Sequence, residues 1–222
     1  MKARLFIALV CAIAVAQSAR AEFLARITVV ATDLGGAPLV SVAVGQEFLL
    51  QSIVQDIRDP PPQLGSGTFA AYLNASFDAG LAEFSPGASL EFSPFFNLVR
   101  TGDLTTPGIV SGAGAAMSSL SPPGNAPQPL WNVPLTAIAP GEVSFTPTFD
   151  TLTGHDVLLY LLNEPIPESQ IDFIGSTLTI VPEPSTVVIA GTGCSALALL
   201  AVRRGRHAGR RARIASKRPI AS

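Results

Sequence analysis

From Thr68 to Asp78 the chain alternates between apolar and polar side chains. Phe69, Ala71, Leu73, Ala75 and Phe77 fall on one face of an extended segment, and Thr68, Tyr72, Asn74, Ser76 and Asp78 on the other. A period of two marks a half-buried β-strand. Val143, Phe145 and Phe149 alternate in the same way with Ser144, Thr146, Thr148 and Asp150, and Pro147 in their midst predicts an edge or bulge position. Further strands are predicted over residues 26–32, 47–57, 130–139, 157–162 and 170–180. Phe48 to Ile57 is apolar on both faces, as a central strand should be. Between these segments stand turn-forming clusters: Gly35-Gly36, Pro60-Pro61-Pro62, Ser85-Pro86-Gly87, Pro122-Pro123-Gly124 and Pro140-Gly141. Helical periodicity is absent from the central region. The pattern predicts an all-β fold, a single antiparallel sandwich of the jelly-roll kind spanning residues 22–180. Residues 85–132 hold the small and proline-rich runs Gly112 to Ala116 and Ser118 to Pro129, which predict long loops around one or two strands.

The two ends follow other rules. Met1 to Arg4 is basic, Leu5 to Ala16 is apolar, and Ala19-Arg20-Ala21 has the small-x-small form of a cleavage site. Residues 1–21 therefore read as a secretory signal peptide. At the other end Val181-Pro182-Glu183-Pro184-Ser185 leads, through residues 181–186, into an apolar run over 187–202. A tail over 203–222 then carries eight bases, beginning with Arg203, Arg204 and Arg206, and no acid. The bases put this tail in the cytoplasm and everything before it outside. The sixteen residues of the apolar run make a helix of about 24 Å, short of a hydrocarbon core of roughly 30 Å, so the run spans as a transmembrane helix only with snorkelling arginines or local thinning. The order of motif, span and basic tail resembles the PEP-CTERM sorting signal. That resemblance implies an exosortase-type processing enzyme as partner, an inner-membrane intermediate, and delivery to the cell surface or extracellular matrix.

With both ends set aside, the charge changes character. The whole chain has a formal charge of −2, but residues 22–180 hold fifteen acids against three arginines, Arg26, Arg58 and Arg100. So acidic a domain repels nucleic acid and anionic lipid and favours cations or basic partners. Cys11 lies in the signal segment and Cys194 in the apolar run, so the domain can form no disulfide and no cysteine-based metal site.

The text from Phe69 to Asp78, followed by Leu81, resembles the third-strand region of cohesin domains. Ala139 to Phe145 resembles that family's turn into a late strand, and Ile171 to Ile180 its closing strand. The resemblance implies a cohesin-like sandwich over nearly the whole domain. It departs from the family at the outward positions Ala70 and Tyr72, where cellulosomal cohesins carry polar residues that grip dockerin. Carbohydrate-binding modules share the architecture.

Candidate chemistry is sparse. His155, the sole histidine of the domain, sits beside Asp156 in a turn, and adjacent residues on a strand face opposite ways, so the pair is not preset as base and orienting acid. No catalytic residue is assigned and no cofactor is required. Calcium candidates are Asp56 with Asp59 near the triple proline, and Asp150 with Asp156 around Gly154. The ordinary role of such acids is to cap turns and keep an exported domain soluble. Tyr72 and Asn74, and Trp131 more remotely, are candidate ligand contacts. Three functional classes follow: a non-enzymatic surface or matrix module, a carbohydrate- or protein-binding module whose partner is a polysaccharide or surface protein, and a secreted hydrolase, disfavoured by the near absence of histidine, lysine and cysteine. The first leads. Deleting residues 181–222 should release the protein soluble into the periplasm, while replacing Pro182, Glu183 and Pro184 together should strand uncleaved protein in the inner membrane. Fractionation with immunoblotting checks both, and surface delivery of the triple variant at the normal level would contradict the sorting assignment.

Overall fold

The computed structural model describes residues 22–59, 61–62, 65–119, 121–150 and 157–183. Thirteen strands make two sheets among them. In chain order these are β1 (Ala25–Thr32), β2 (Ser41–Ala43), β3 (Glu47–Asp56), β4 (Thr68–Ser76), β5 (Ala82–Phe84), β6 (Glu91–Phe92), β7 (Phe96–Asp103), β8 (Ile109–Met117), β9 (Gln128–Ala137), β10 (Gly141–Phe149), β11 (Leu158–Leu159), β12 (Ile171–Ile174) and β13 (Ser176–Val181). One sheet, here sheet I, runs β12-β1-β3-β9-β5, with β6 also on β9. Sheet II runs β2-β13-β10-β4-β8-β7, with β11 also on β4. Among the described residues helix is confined to one 3-10 turn, Glu168–Gln170. The signal segment, the apolar run and the basic tail lie outside the described residues, within which no helix is long and apolar enough to cross a membrane.

The alternation read from the sequence becomes the core. Ile27 and Val29 of β1, Phe48 and Leu50 of β3, and Val133 and Leu135 of β9 face Ala71 and Leu73 of β4, Val143 and Phe145 of β10, and Leu178 and Ile180 of β13. Phe48 and Phe145 meet edge to face across the two sheets, ring centroids 6.1 Å apart. β3 is central, as expected, between β1 and β9, although its outward positions are only half-buried rather than covered. Pro147 lies where β10 has already left β13 and pairs with β4 alone, so its missing N–H breaks no ladder.

The sequence-based expectation fails in four places. Residues 170–180 are not one strand. Ile171–Ile174 runs parallel to β1 in sheet I, and Ser176–Val181 pairs antiparallel with β10 in sheet II. Gly175 makes the switch, because a Cβ there would stand 2.3 Å from the Phe145 carbonyl oxygen. The sandwich is also not purely antiparallel: β12 on β1 and β13 on β2 are parallel pairs. Third, Gly112 to Ala116, expected as loop, is the buried strand β8. A Cβ on Gly114 would lie 2.1 Å from the Ala71 carbonyl oxygen, so the absent side chain is what lets β8 close on β4. The expected strand over 157–162 shrinks to two residues, after which Leu161 turns with φ 68°. Val181, expected to begin the sorting motif, also ends β13 opposite Ala43, so a truncation that spares the sheet starts at Pro182.

Gly114→Ala should therefore destabilise the fold by about 3 kcal/mol, the upper end for overpacking. The shift in urea midpoint at constant m-value measures it; a change below about 1 kcal/mol would mean that β8 and β4 are not so close.

Candidate functional site

The outward face of sheet II is not the polar surface that the alternation of β4 suggests. Tyr72, expected as an exposed ligand contact, is only 4% exposed. Its ring lies against the bare backbone of Gly114, and its hydroxyl donates to the Val99 carbonyl of β7 at 3.0 Å. Burial pushes the phenol pKa up. Asn74 is likewise engaged: its Nδ2 donates to the Phe149 carbonyl at 3.2 Å, and its Oδ1 accepts from Gly112 N at 2.7 Å, across the bulge between β4 and β8. Both residues are corrected from ligand contacts to ties between strands. Trp131 is in the core, its indole N–H donating to the Ala113 carbonyl at 3.2 Å.

Beside Tyr72 the register sets four apolar residues side by side. Leu158 of β11 is opposite Ala70 of β4, Ala70 opposite Ala116 of β8, and Ala116 opposite Leu98 of β7. Ala70, Tyr72 and Ala116 form a small buried cluster of their own, separate from the main core. At the β7 end the row opens to solvent, with Leu98 45% and Val99 58% exposed. Val99 has φ 47°, a conformation that β-branched residues rarely take. The strand around it is bulged, its register on β8 shifting three times.

Of the calcium candidates, Asp56 and Asp59 do not assemble into a site. Asp56 is 1% exposed and its two oxygens accept four hydrogen bonds: from Arg58 Nε at 2.9 Å, Arg58 Nη2 at 2.6 Å, Arg58 N at 3.2 Å and Gly67 N at 2.7 Å. Arg58 Nη2 also donates to the Tyr160 carbonyl at 3.0 Å. Burial alone would raise the carboxyl pKa, but the Arg58 side chain, the Gly67 and Arg58 amides and the guanidinium charge together hold it below its ordinary value. These oxygens are occupied, and Asp59 lies on the exposed loop beyond them. Asp150 is buried and Asp156 lies outside the described residues, as does His155. Among the described residues no three metal-binding side chains cluster. Other acids cap turns: Asp33 accepts from Gly35 N and Ala37 N, Asp78 from Gly80 N, and Asp103 from Thr105 N and its hydroxyl.

One feature escaped the sequence reading. On sheet I, Gln51 of β3 pairs with Asn132 of β9, and Asn132 pairs with Glu91 of β6. With Phe92, Pro94 and Pro129 these three line a shallow groove of about 170 Å³. The outward period of β3 predicted Gln51; the strand that brings Glu91 to it was hidden among the expected loops. Of the sorting residues, Val181 closes β13, Pro182 and Glu183 are exposed, and Pro184, Ser185, Arg203, Arg204 and Arg206 lie outside the described residues.

No family model and no curated protein matches the chain. Solved structures do. The cohesin module of a family 33 glycoside hydrolase from Clostridium perfringens is similar at TM-score 0.49 and 12% identity, over 72% of this chain and 99% of that one. A type III cohesin module of the cell-surface anchoring scaffoldin of Ruminococcus flavefaciens is similar at 0.47 and 11%, over 72% and 89%. A type I cohesin from Clostridium thermocellum, solved in complex with a dockerin, is similar at 0.47 and 9%, over 70% and 99%. The likeness is one of fold, a two-sheet cohesin-like sandwich.

Replacing Arg58 with Ala leaves a buried carboxylate without its counter-ion and should cost about 3–5 kcal/mol at pH 7. Because the folded pKa of Asp56 lies below the unfolded value, its stabilisation is complete above the ordinary carboxylate pKa of 3.8 and is lost as pH falls through the folded value. The gap between wild type and Arg58→Ala should therefore close in acid. Denaturation curves from pH 7 to 2.5 check this, and a gap independent of pH would contradict it.

Proposed function

We propose that this chain is an exported, non-enzymatic binding module. Its C-terminal PEP-CTERM-like signal is processed by an exosortase-type enzyme, and it is displayed at the cell surface or in the extracellular matrix. There the outward face of sheet II binds a partner protein. The observation that carries the binding role is the row Leu158, Ala70, Ala116 and Leu98, which crosses four strands and ends in exposed apolar side chains. A solvent-facing sheet surface ordinarily alternates to polar at these positions. An apolar centre on a domain with fifteen acids and three arginines suits a partner with an apolar contact surrounded by bases. The strained Val99 supports the same reading, since the fold holds an exposed valine in an unfavourable conformation beside Leu98.

The non-enzymatic part of the reading rests on the poverty of residues 22–180 in histidine, lysine and cysteine. The destination rests on the order of motif, apolar run and basic tail. Retention at the surface after processing would then depend on the partner. Leu98→Asp combined with Val99→Asp should leave export, cleavage and thermal midpoint unchanged but shed the processed protein into the medium, as read by quantitative immunoblotting of cells and supernatant. Surface retention at the wild-type level in that variant would remove this face from the binding role.

A further inference from the structure

We infer that the groove on the outward face of sheet I is a second, separate binding site, and that its ligand is a neutral polysaccharide. Gln51, Asn132 and Glu91 stand in a line across three hydrogen-bonded strands. Adjacent strands are about 4.8 Å apart, so an amide, an amide and a carboxylate succeed one another over roughly 10 Å. None of the three side chains is held by a hydrogen bond or ion pair among the described residues, and the Asn132 Oδ1 is shielded from solvent with no partner. Asp33, Asp78 and Asp103, by contrast, cap their own turns. The unpaired row is therefore not a turn or a strand tie. Apart from the shielded Asn132 Oδ1, its donors and acceptors are free for a ligand that offers both, as a hydroxyl does.

The surroundings narrow the class. Phe92, Pro94 and Pro129 give the groove flat apolar borders, and Arg100 sits over the Phe92 ring at 5.6 Å and steadies it. Sugar rings present flat C–H faces between their hydroxyls and fit such borders. At about 170 Å³ the groove is below the roughly 300–1,000 Å³ that enclose a free small molecule, so it suits a few units of a longer chain lying across the sheet. A peptide is a poorer fit. β3 lies between β1 and β9, and β9 lies between β3 and the pair β5 and β6, so neither offers a free edge for strand addition. An acidic polymer is disfavoured by Glu91 itself and by the excess of acids over the domain.

This site does not depend on the sheet II face and is tested apart from it. The full chain, purified in a non-ionic detergent, should be retarded in native gels cast with at least one of hydroxyethylcellulose, a β-1,3-glucan, galactomannan or dextran, and not in gels cast with polygalacturonate. Gln51→Ala, Asn132→Ala and Glu91→Ala should each weaken the retarding interaction roughly five- to tenfold, as the loss of about one hydrogen bond implies. Glu91 is exposed, so its variant keeps the test valid should either of the others unfold. Leu98→Asp should bind as the wild type does. Retardation in none of the four neutral gels, equal retardation in polygalacturonate, or retardation indifferent to all three groove substitutions would each overturn the proposal. So would binding displaced by a basic peptide but not by the matching soluble oligosaccharide, which would make the groove a peptide site.

Discussion

The close approach of β8 to its neighbours is the constraint on which the rest of this sandwich depends. From Gly112 to Ala116 that strand carries nothing larger than a methyl group. On the inner side the space is filled by Trp131 of the facing sheet, whose indole binds the Ala113 carbonyl. On the outer side it is filled by Tyr72, whose ring lies on Gly114 and whose hydroxyl reaches past β8 to β7. Two large aromatics from different strands thus lock onto one small-residue strand, one from each side. A larger residue at Gly114 would push β8 off β4 and undo both contacts, so the fold has little tolerance there.

A domain without cysteine needs other ties at its ends, and its three arginines supply them. Arg58 closes a bidentate pair with Asp56 and donates to the turn at Tyr160, while Asp56 at the end of β3 accepts from Gly67 N. This is the one arginine whose pair is buried, and breaking it leaves a charge with nowhere to go. Arg26 bridges to Asp172 across the parallel pair β1 and β12 at 2.8 Å, but its side chain is 42% exposed, so the bridge adds register more than stability. Arg100 donates to the Phe96 carbonyl at 2.9 Å and covers Phe92. Each positive group of the domain already has a structural neighbour. No arginine of the domain is left over for a ligand, so what the surface offers is acidic, neutral polar or apolar, which limits the partners it can hold.

How much of this was legible in the sequence depends on side-chain size. Strands β1, β3, β4, β9 and β10 announced themselves because bulky apolar residues recur every second position. β8 did not, because glycine and alanine carry no such signal, and Gly-Ala runs are common in loops. The sheet switch at Gly175 was hidden for a related reason: Ile171 to Ile180 keeps an apolar rhythm across a point where only backbone contact with Phe145 decides the partner. Tyr72 was misread because period-two logic assigns it to the outward face, correctly, but says nothing of what covers that face. Its cover, β7, is bulged and irregular, and was expected as loop. Asp56 was read as a calcium ligand because an acid near a proline loop looks solvated, whereas Arg58 two residues later folds back onto it.

The two outward faces therefore differ in kind, and the difference follows from what each face has left unpaired. Sheet II uses Asn74 and the Tyr72 hydroxyl to bind its own bulged strands, and Leu98 and Val99 reach solvent at the β7 end. On sheet I the β3–β9 register also shifts, between Ser52 and Ile53 beside the groove, but there no side chain is drawn into the repair, and Gln51, Asn132 and Glu91 remain without hydrogen-bond partners among the described residues. On that argument hydroxyl-rich ligands belong on sheet I and apolar protein contacts on sheet II, and a single domain of this size can hold both without either site competing for the same residues.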